Sequence, residues 1–293
     1  MVQEHIKIFE KYRPDLMGLA YRMTGSVTDA EDMVQDTWLR WQGIESSGVE
    51  NPRAFLHKII TRLCLDRAKS ARIRKETYVG PWLPEPIQDL SMVANDITPD
   101  KEVELADELS FALLLVLERL SPPERAAFIL HDVFDYSFKE ISETLDRSPD
   151  ACRKLASRAR SSINDKRPAP NVDESIFQNF VMKFQTTIQT GDVSGIADLL
   201  AEDAVMYSDG GGKKSAALNP IFGRDKILRF TVGIVTKFGK PASVDVIKVN
   251  GCPALKMIEE DGTVVTLSID CDASGIVQTV YIQRNSDKLQ GVQ

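Results

Sequence analysis

The sequence predicts a multidomain chain: two all-α domains, the second built on a helix-turn-helix, followed by an α+β domain with an antiparallel sheet. Three observations carry this. Apolar residues recur at helical spacing through the first 167 residues. A proline- and acid-rich stretch interrupts them between Tyr78 and Pro99, and a second break falls at Arg167-Pro168-Ala169-Pro170-Asn171. Beyond it, alternating apolar runs are punctuated by Asn250-Gly251 and Asp261-Gly262, which are hairpin signals.

In chain order, Ile6, Phe9, Tyr12, Leu16, Leu19 and Ala20 mark a first helix. Thr28 followed by Glu31 predicts the capping box of a second, with Met33, Val34, Thr37, Trp38 and Trp41 as its apolar stripe. Asn51 and Pro52 start a third as N-cap and first helical residue, and Phe55, Ile59, Ile60, Leu63 and Leu65 supply its buried side. A helix from about Lys101 runs to Ser121-Pro122-Pro123. Then come helices over 123–134 and 137–145, a turn at Asp146-Arg147, and a last helix capped by Ser148 with Pro149 at its first position. That is helix-turn-helix spacing, with a plain helical hairpin as the alternative.

After the second break, helices are predicted over about 174–190, 192–201 and 224–238. Strands follow over 243–249, 254–258, 264–271 and 276–283. The expected divisions are 1–75, a linker over 76–105, 106–167, a short linker over 168–172, and 173–293.

Composition excludes several classes. Of the 293 residues, 43% are hydrophobic and 27% charged, which is globular rather than disordered. No apolar run approaches ~20 residues, so no membrane span is expected. The start, Met1-Val2-Gln3-Glu4-His5-Ile6-Lys7, lacks the apolar core of a signal peptide. Four scattered cysteines (Cys64, Cys152, Cys252, Cys271) make neither a zinc site nor a disulfide framework, which suits a reducing cytoplasm. No metal, haem or nucleotide motif is present, so no cofactor is expected.

The net charge of −7 argues against nucleic acid, but its distribution does not. Residues 53–75 hold eight bases and one acid, and residues 147–167 hold seven bases and two acids. Residues 76–110 between them hold nine acids and one base. Local charge governs phosphate binding more than the net value does. On the last helix of the first part, Cys152, Leu155, Ala159 and Ile163 face inward, which leaves Arg153, Lys154, Ser157, Arg158 and Arg160 outward.

Three stretches resemble a known family. They are Asp29-Ala30-Glu31-Asp32-Met33-Val34-Gln35-Asp36-Thr37-Trp38-Leu39-Arg40, Asn51-Pro52-Arg53-Ala54-Phe55-Leu56 running on to Leu65-Asp66-Arg67, and Leu120-Ser121-Pro122-Pro123-Glu124-Arg125 with the helix-turn-helix. Together they resemble the two domains of an extracytoplasmic-function (ECF) sigma factor of bacterial RNA polymerase. Trp82-Leu83-Pro84-Glu85-Pro86, Asp209-Gly210-Gly211-Gly212-Lys213 and Asn285-Ser286-Asp287-Lys288-Leu289 are similar to motifs of the SigJ/ECF41 type, which carries a fused SnoaL-like domain. Ser286 stands where that group usually has a proline.

The resemblance implies a division of labour. Asp29, Glu31, Asp32, Gln35, Asp36 and Arg40 would meet the clamp helices of the largest subunit of core RNA polymerase. Ser148, Arg153, Lys154, Ser157, Arg158 and Arg160 would serve the −35 element, with Arg153 and Lys154 reaching base edges. Arg53, Lys58, Arg62, Arg67, Arg72 and Arg74, with the loop Gln42–Glu50, would hold the melted −10 strand. The tail would be a SnoaL-like cone, a curved sheet wrapped by helices around a pocket with room for a small-molecule ligand. All three histidines precede residue 132. Asp209 and Asp270 form no evident acid–base pair, so an enzyme is not expected. Trp82, Leu83, Pro84, Glu85 and Pro86 are expected to meet Asp209, Gly210, Gly211, Gly212 and Lys213, with Asn285, Asp287, Lys288 and Leu289 as a second tether. The fused tail implies that no separate anti-sigma factor is required. The competing readings are a DNA-binding front fused to a ligand-binding or enzymatic SnoaL-like domain, and a helix-turn-helix repressor that never meets polymerase.

Overall fold

The computed structural model describes residues 2–44, 48–164 and 174–292. The chain divides into two compact units. One contains Met1–Glu76, Asp89–Lys101 and Leu113–Arg167, and the other Thr77–Gln88, Glu102–Ala112 and Pro168–Gln293.

The first unit is helical, with α1 (Val2–Thr24), α2 (Val27–Gln42) and α3 (Pro52–Glu76); α4 (Pro99–Leu109) and α5 (Phe111–Arg119) each contribute residues to both units, and α6 (Pro122–Phe128), α7 (Phe138–Leu145) and α8 (Pro149–Asn164) belong to the first. Leu16, Leu19, Tyr21, Trp41, Leu56 and Ile60 are fully buried among α1–α3. The Trp41 indole N–H donates to the His5 carbonyl at 3.1 Å, so the largest core side chain keeps a polar partner. α2 is capped by Ser26, two residues before the predicted Thr28; its hydroxyl accepts from the Asp29 N–H at 3.1 Å. Asn51 caps α3 through the Ala54 N–H, with Pro52 at the first helical position.

The predicted helix over 123–134 is instead α6 followed by a π-helical stretch, Ile129–Val133, closed by the Phe134 N–H to the Ile129 carbonyl at 3.2 Å. The predicted helix from Lys101 to Leu120 breaks at Ser110 into α4 and α5. The break has a cause: the Asn250 side-chain amide takes the Leu109 carbonyl at 2.7 Å. Ser137 and Glu140 form the predicted capping box of α7, and Asp146 turns the chain with a left-handed φ of 53°.

The second unit packs α9 (Glu174–Thr190), α10 (Ser194–Ala197) and α11 (Arg224–Phe238) against a six-stranded sheet. The strands are β1 (Leu200–Asp209), β2 (Ile221–Phe222), β3 (Ser243–Val249), β4 (Cys252–Ile258), β5 (Val264–Cys271) and β6 (Val277–Gln283), in the order β2-β1-β6-β5-β4-β3. The β3–β6 meander is antiparallel as predicted, but the sheet is mixed because β1 runs parallel to β6. The helix predicted over 192–201 stops at Ala197, and Leu200 already begins β1. Exposed Glu202 and Asp203 beside apolar neighbours mimic an amphipathic helix, whereas buried Ala204, Met206 and Ser208 show the period of two.

Candidate nucleic-acid interface and linker latch

Within the helical unit, α8 buries Cys152, Leu155, Ala156, Ala159 and Ile163 and exposes Arg153, Lys154, Ser157 and Arg158. Its N-terminus is set by Ser148, whose hydroxyl accepts from the Ala151 N–H at 3.2 Å. Arg153 pairs with Asp150 and lies 5.3 Å over the Phe138 ring. Arg158 sits 3.4 Å from Glu124, and Arg160 bonds Asp132 at 2.7 Å. Such exposed pairs contribute ~0–1 kcal/mol each, so these arms can exchange a carboxylate for a phosphate at little cost.

Glu31, Asp32, Gln35, Asp36 and Arg40 share the exposed side of α2, while Met33, Val34 and Thr37 are buried. Leu39 lies on the same side and is 58% exposed. Sequence reasoning passed over it because one leucine in a polar run carries no periodic signal. Asp29 is half-buried and bonds Arg67 at 2.6 Å, and Asp32 reaches the same guanidinium at 3.4 Å. Two predicted roles therefore meet at one cluster.

α3 packs against α6 and α7. Arg62 donates to the Thr144 and Glu143 carbonyls at 3.0 and 3.1 Å, where a cation suits the C-terminal end of α7. Arg53 lies 5.5 Å over the Tyr136 ring and 3.7 Å from Asp15. His57 is buried edge-on to Phe134, and burial, with Arg53 adding to it, pushes its pKa down to about 3. Arg125 reaches across from α6 to the Met23 carbonyl and Glu118. Lys58 lines a cavity of about 430 Å³ with Gly48, Val49, Phe55, Tyr136 and Thr144. Glu45, Ser46 and Ser47 of the predicted −10 loop, and the side chains of Arg72 and Arg74, lie outside the described residues.

In the second unit, Asp209 at the end of β1 is wholly buried. Its Oδ1 accepts from the Tyr78 hydroxyl at 2.6 Å and the Gly211 N–H at 3.0 Å. Its Oδ2 accepts from the Leu83 N–H at 2.9 Å and the Lys288 ammonium at 2.8 Å. Lys288 also donates to the Leu83 carbonyl at 2.6 Å. The aromatic rings of Trp82 and Tyr78 cover it at 4.4 and 4.9 Å. Burial, then the bond to Asp209, pushes the Tyr78 phenol well up.

Around this centre, Asn285 donates to the Tyr78 oxygen at 2.9 Å, and the Gln283 amide faces the Pro84 carbonyl at 3.4 Å. Leu83, Pro84 and Pro86 are buried, and Trp82 and Glu85 are half-buried. Lys213 and Asp287 form an exposed pair at 2.6 Å, and Leu289 is buried. Gly211 has φ +58°, and a Cβ there would stand 2.2 Å from the Asn285 amide nitrogen. A Cβ on Gly210 would meet the Lys214 carbonyl oxygen at 2.1 Å. The glycines are thus needed for close approach as well as for their backbone angles.

A second anchor lies nearby in the chain. Asn250 accepts from the Ile87 N–H at 2.7 Å through its side-chain oxygen and gives its backbone N–H to the Ile87 carbonyl at 2.6 Å. Its amide takes Leu109, as above. Lys248 pairs with Glu102 at 2.7 Å, and Phe111 stacks on Tyr281 at 5.4 Å. Tyr78, Asn250 and Gln283 were not singled out from sequence. Asn250 read simply as a turn residue, although its positive φ of 55° is consistent with that role too.

A basic helix-turn-helix beside a second helical region with one polar face is the pattern of a DNA-binding protein. Residues 8–74 match Sigma-70 region 2, and residues 110–163 match Sigma-70, region 4. The chain is 40% identical over 232 residues to the ECF RNA polymerase sigma factor SigJ of Mycobacterium tuberculosis, covering 79% of this chain and 73% of that one. It is 34% identical over 191 residues to the probable ECF RNA polymerase sigma factor SigI of the same species, covering 64% of each. The crystal structure of M. tuberculosis SigJ superposes with a TM-score of 0.77 at 33% identity over 98% of both chains. The chain belongs to the ECF sigma factors of bacterial RNA polymerase, which act in transcription initiation.

Proposed function

We propose that this sigma factor is regulated in cis: its C-terminal SnoaL-like domain grips the connection between regions 2 and 4 and so sets their reach on core polymerase and promoter DNA. The observation that carries the reading is the buried Asp209–Lys288 centre, which holds both the backbone and the rings of Tyr78–Leu83. The Asn250 anchor on Ile87 and Leu109 supports it further along the same connection.

The polar side of α2, with Leu39 added, is the surface for the polymerase clamp helices. The outward side chains of α8 read the −35 element, and α3 with the Gln42–Glu50 loop takes the −10 strand. Arg62 and Arg53 are engaged inside the helical unit, so strand capture requires them to exchange partners. Asp209 accepts four hydrogen bonds, which occupies the lone pairs a general base would need. That favours a latch over an enzyme site. A cytoplasmic protein without a separate anti-sigma factor fits this reading; no helix among the described residues is long and apolar enough to cross a membrane.

The test is transcription in vitro with bacterial core polymerase on a promoter with a TGTCACA-like upstream and a CGTC-like downstream element. Full-length protein, a version ending near Arg167 and one lacking Asn285 onward are compared, together with Trp82→Ala. Specific transcripts with different yields support cis regulation. Equal yields from all four remove it, and no transcript or core binding from any removes the assignment of these surfaces.

A further inference from the structure

The C-terminal sheet has two differently used faces. The face under α9 and α11 encloses a cavity of about 100 Å³ whose apolar walls include Phe180, Phe184, Met206, Phe230, Val265 and Leu267. Close-packed interiors seldom leave such a space. An apolar cavity of about 150 Å³ holds benzene, so this smaller one suits a guest of about four carbons.

Three charged side chains also line it. Arg284, only 5% exposed, bonds both carboxylate oxygens of Glu259 at 2.7 and 2.6 Å, which makes a neutral pair. Lys240 also lines the cavity and donates to the Gln189 carbonyl at 2.9 Å. The charged lining is therefore two cations against one anion. Burying a charge without a partner is costly, so an apolar guest with an ammonium group is disfavoured and one with a carboxylate is favoured.

Strand geometry connects this cavity to the latch. Side chains alternate between the two faces of a strand. Val280, Ile282 and Arg284 line the cavity. Their neighbours Tyr281, Gln283 and Asn285 meet Phe111, Pro84 and Tyr78 on the other face. Arg284 also gives its backbone N–H to the Asp209 carbonyl at 2.7 Å. One peptide segment thus contacts both the cavity and the latch. We propose that the cavity is a binding site for a small apolar carboxylic acid, and that the end of β6 carries its occupancy to the linker; this second half rests on the latch reading above.

The experiment is isothermal titration of the full chain with sodium butanoate, with 1-butanol and butylamine as controls, and hydrogen exchange of residues 78–88 with and without butanoate. Saturable one-to-one binding of butanoate, at least ten-fold tighter than butanol and with no binding of butylamine, is expected. Lys240→Gln, at an exposed position, should remove most of that preference. Thr231→Phe, which fills the space from α11, should abolish binding. No binding of butanoate, equal binding of all three probes, or an unchanged preference in Lys240→Gln overturns the site. Binding with unchanged exchange over 78–88 overturns the coupling. Transcription is not the readout, so either failure is distinct from failure of the latch.

Discussion

Lys288 Nζ lies 2.8 Å from Asp209 Oδ2, with side-chain exposures of 7% and 0%. A buried ion pair adds little net stability over an apolar substitute, but removing one partner strands the other charge at a cost of ~3–5 kcal/mol. Here the ammonium also holds the Leu83 carbonyl. Lys288→Met should therefore destabilise the C-terminal unit by about 3–5 kcal/mol in urea denaturation and open residues 77–88 to limited proteolysis. A loss under about 1 kcal/mol, with the linker still protected, would mean the pair does not hold it.

Gly211 and Gly212 both have positive φ, 58° and 72°, but their surroundings differ. A Cβ at 211 collides with Asn285 at 2.2 Å, whereas at 212 it meets the Val79 side chain at 3.3 Å. A left-handed non-glycine residue costs roughly 1–2 kcal/mol by itself. Gly212→Ala should show about that loss, and Gly211→Ala clearly more, since Asn285 must leave the Tyr78 oxygen. Thermal melts of the two variants check the order. Equal losses would show that Asn285 moves freely and is no part of the tether.

The division into helical and α+β parts was legible because period and punctuation change together at Pro168 and Pro170. Helix α8 was legible for a similar reason: its inward set recurs at helical spacing, and Cys152, Leu155, Ala159 and Ile163 are buried. What escaped depends on partners far away in sequence. The break at Ser110 follows from Asn250, 141 residues from Leu109. Likewise, β1 pairs in parallel with β6 across β2, α11 and the β3–β5 meander that separate them in the chain. Tyr78 carried no local motif, yet its hydroxyl meets Asp209 across 131 residues. Asp209 itself was found by its glycines: its Oδ1 turns the chain by accepting from the Gly211 N–H, and the same carboxylate also holds Tyr78, Leu83 and Lys288.

Arg153 and Arg158 stand five residues apart on α8 and should fail differently. Arg153 lies in the N-terminal part of the helix, where base edges come within reach in a helix-turn-helix complex. Arg153→Ala should cost ~1–3 kcal/mol of discrimination between the matched −35 element and a single-base variant. Arg158→Ala should weaken both promoters alike and reduce the salt dependence by about one phosphate contact. Holoenzyme binding to the two promoters at several salt concentrations separates the outcomes. Equal discrimination in both variants would place base reading elsewhere.

Asp270 lies on β5, where its carboxylate accepts from the Tyr281 hydroxyl among Tyr207, Phe111 and the Cys252 thiol. Burial raises its pKa to about 6, against the lowering effect of the Tyr281 bond. The folded protein therefore favours the neutral carboxyl relative to an unfolded value near 3.9. The sign follows: the stabilisation is complete below about pH 4 and is lost as pH rises through about 6, by roughly 2–3 kcal/mol. His57 works in the opposite direction, since burial depresses its pKa to about 3 and its contribution is lost on acidification from its free value near 6.5. A melt of the whole chain mixes the two, so the difference between wild type and Asp270→Asn isolates the carboxylate. That variant should gain stability relative to wild type as pH rises from 4 to 7, and Tyr281→Phe should move the wild-type transition to higher pH by deleting the bond that favours the anion. A pH-independent difference between wild type and Asp270→Asn would show that folding does not raise the pKa of this carboxyl.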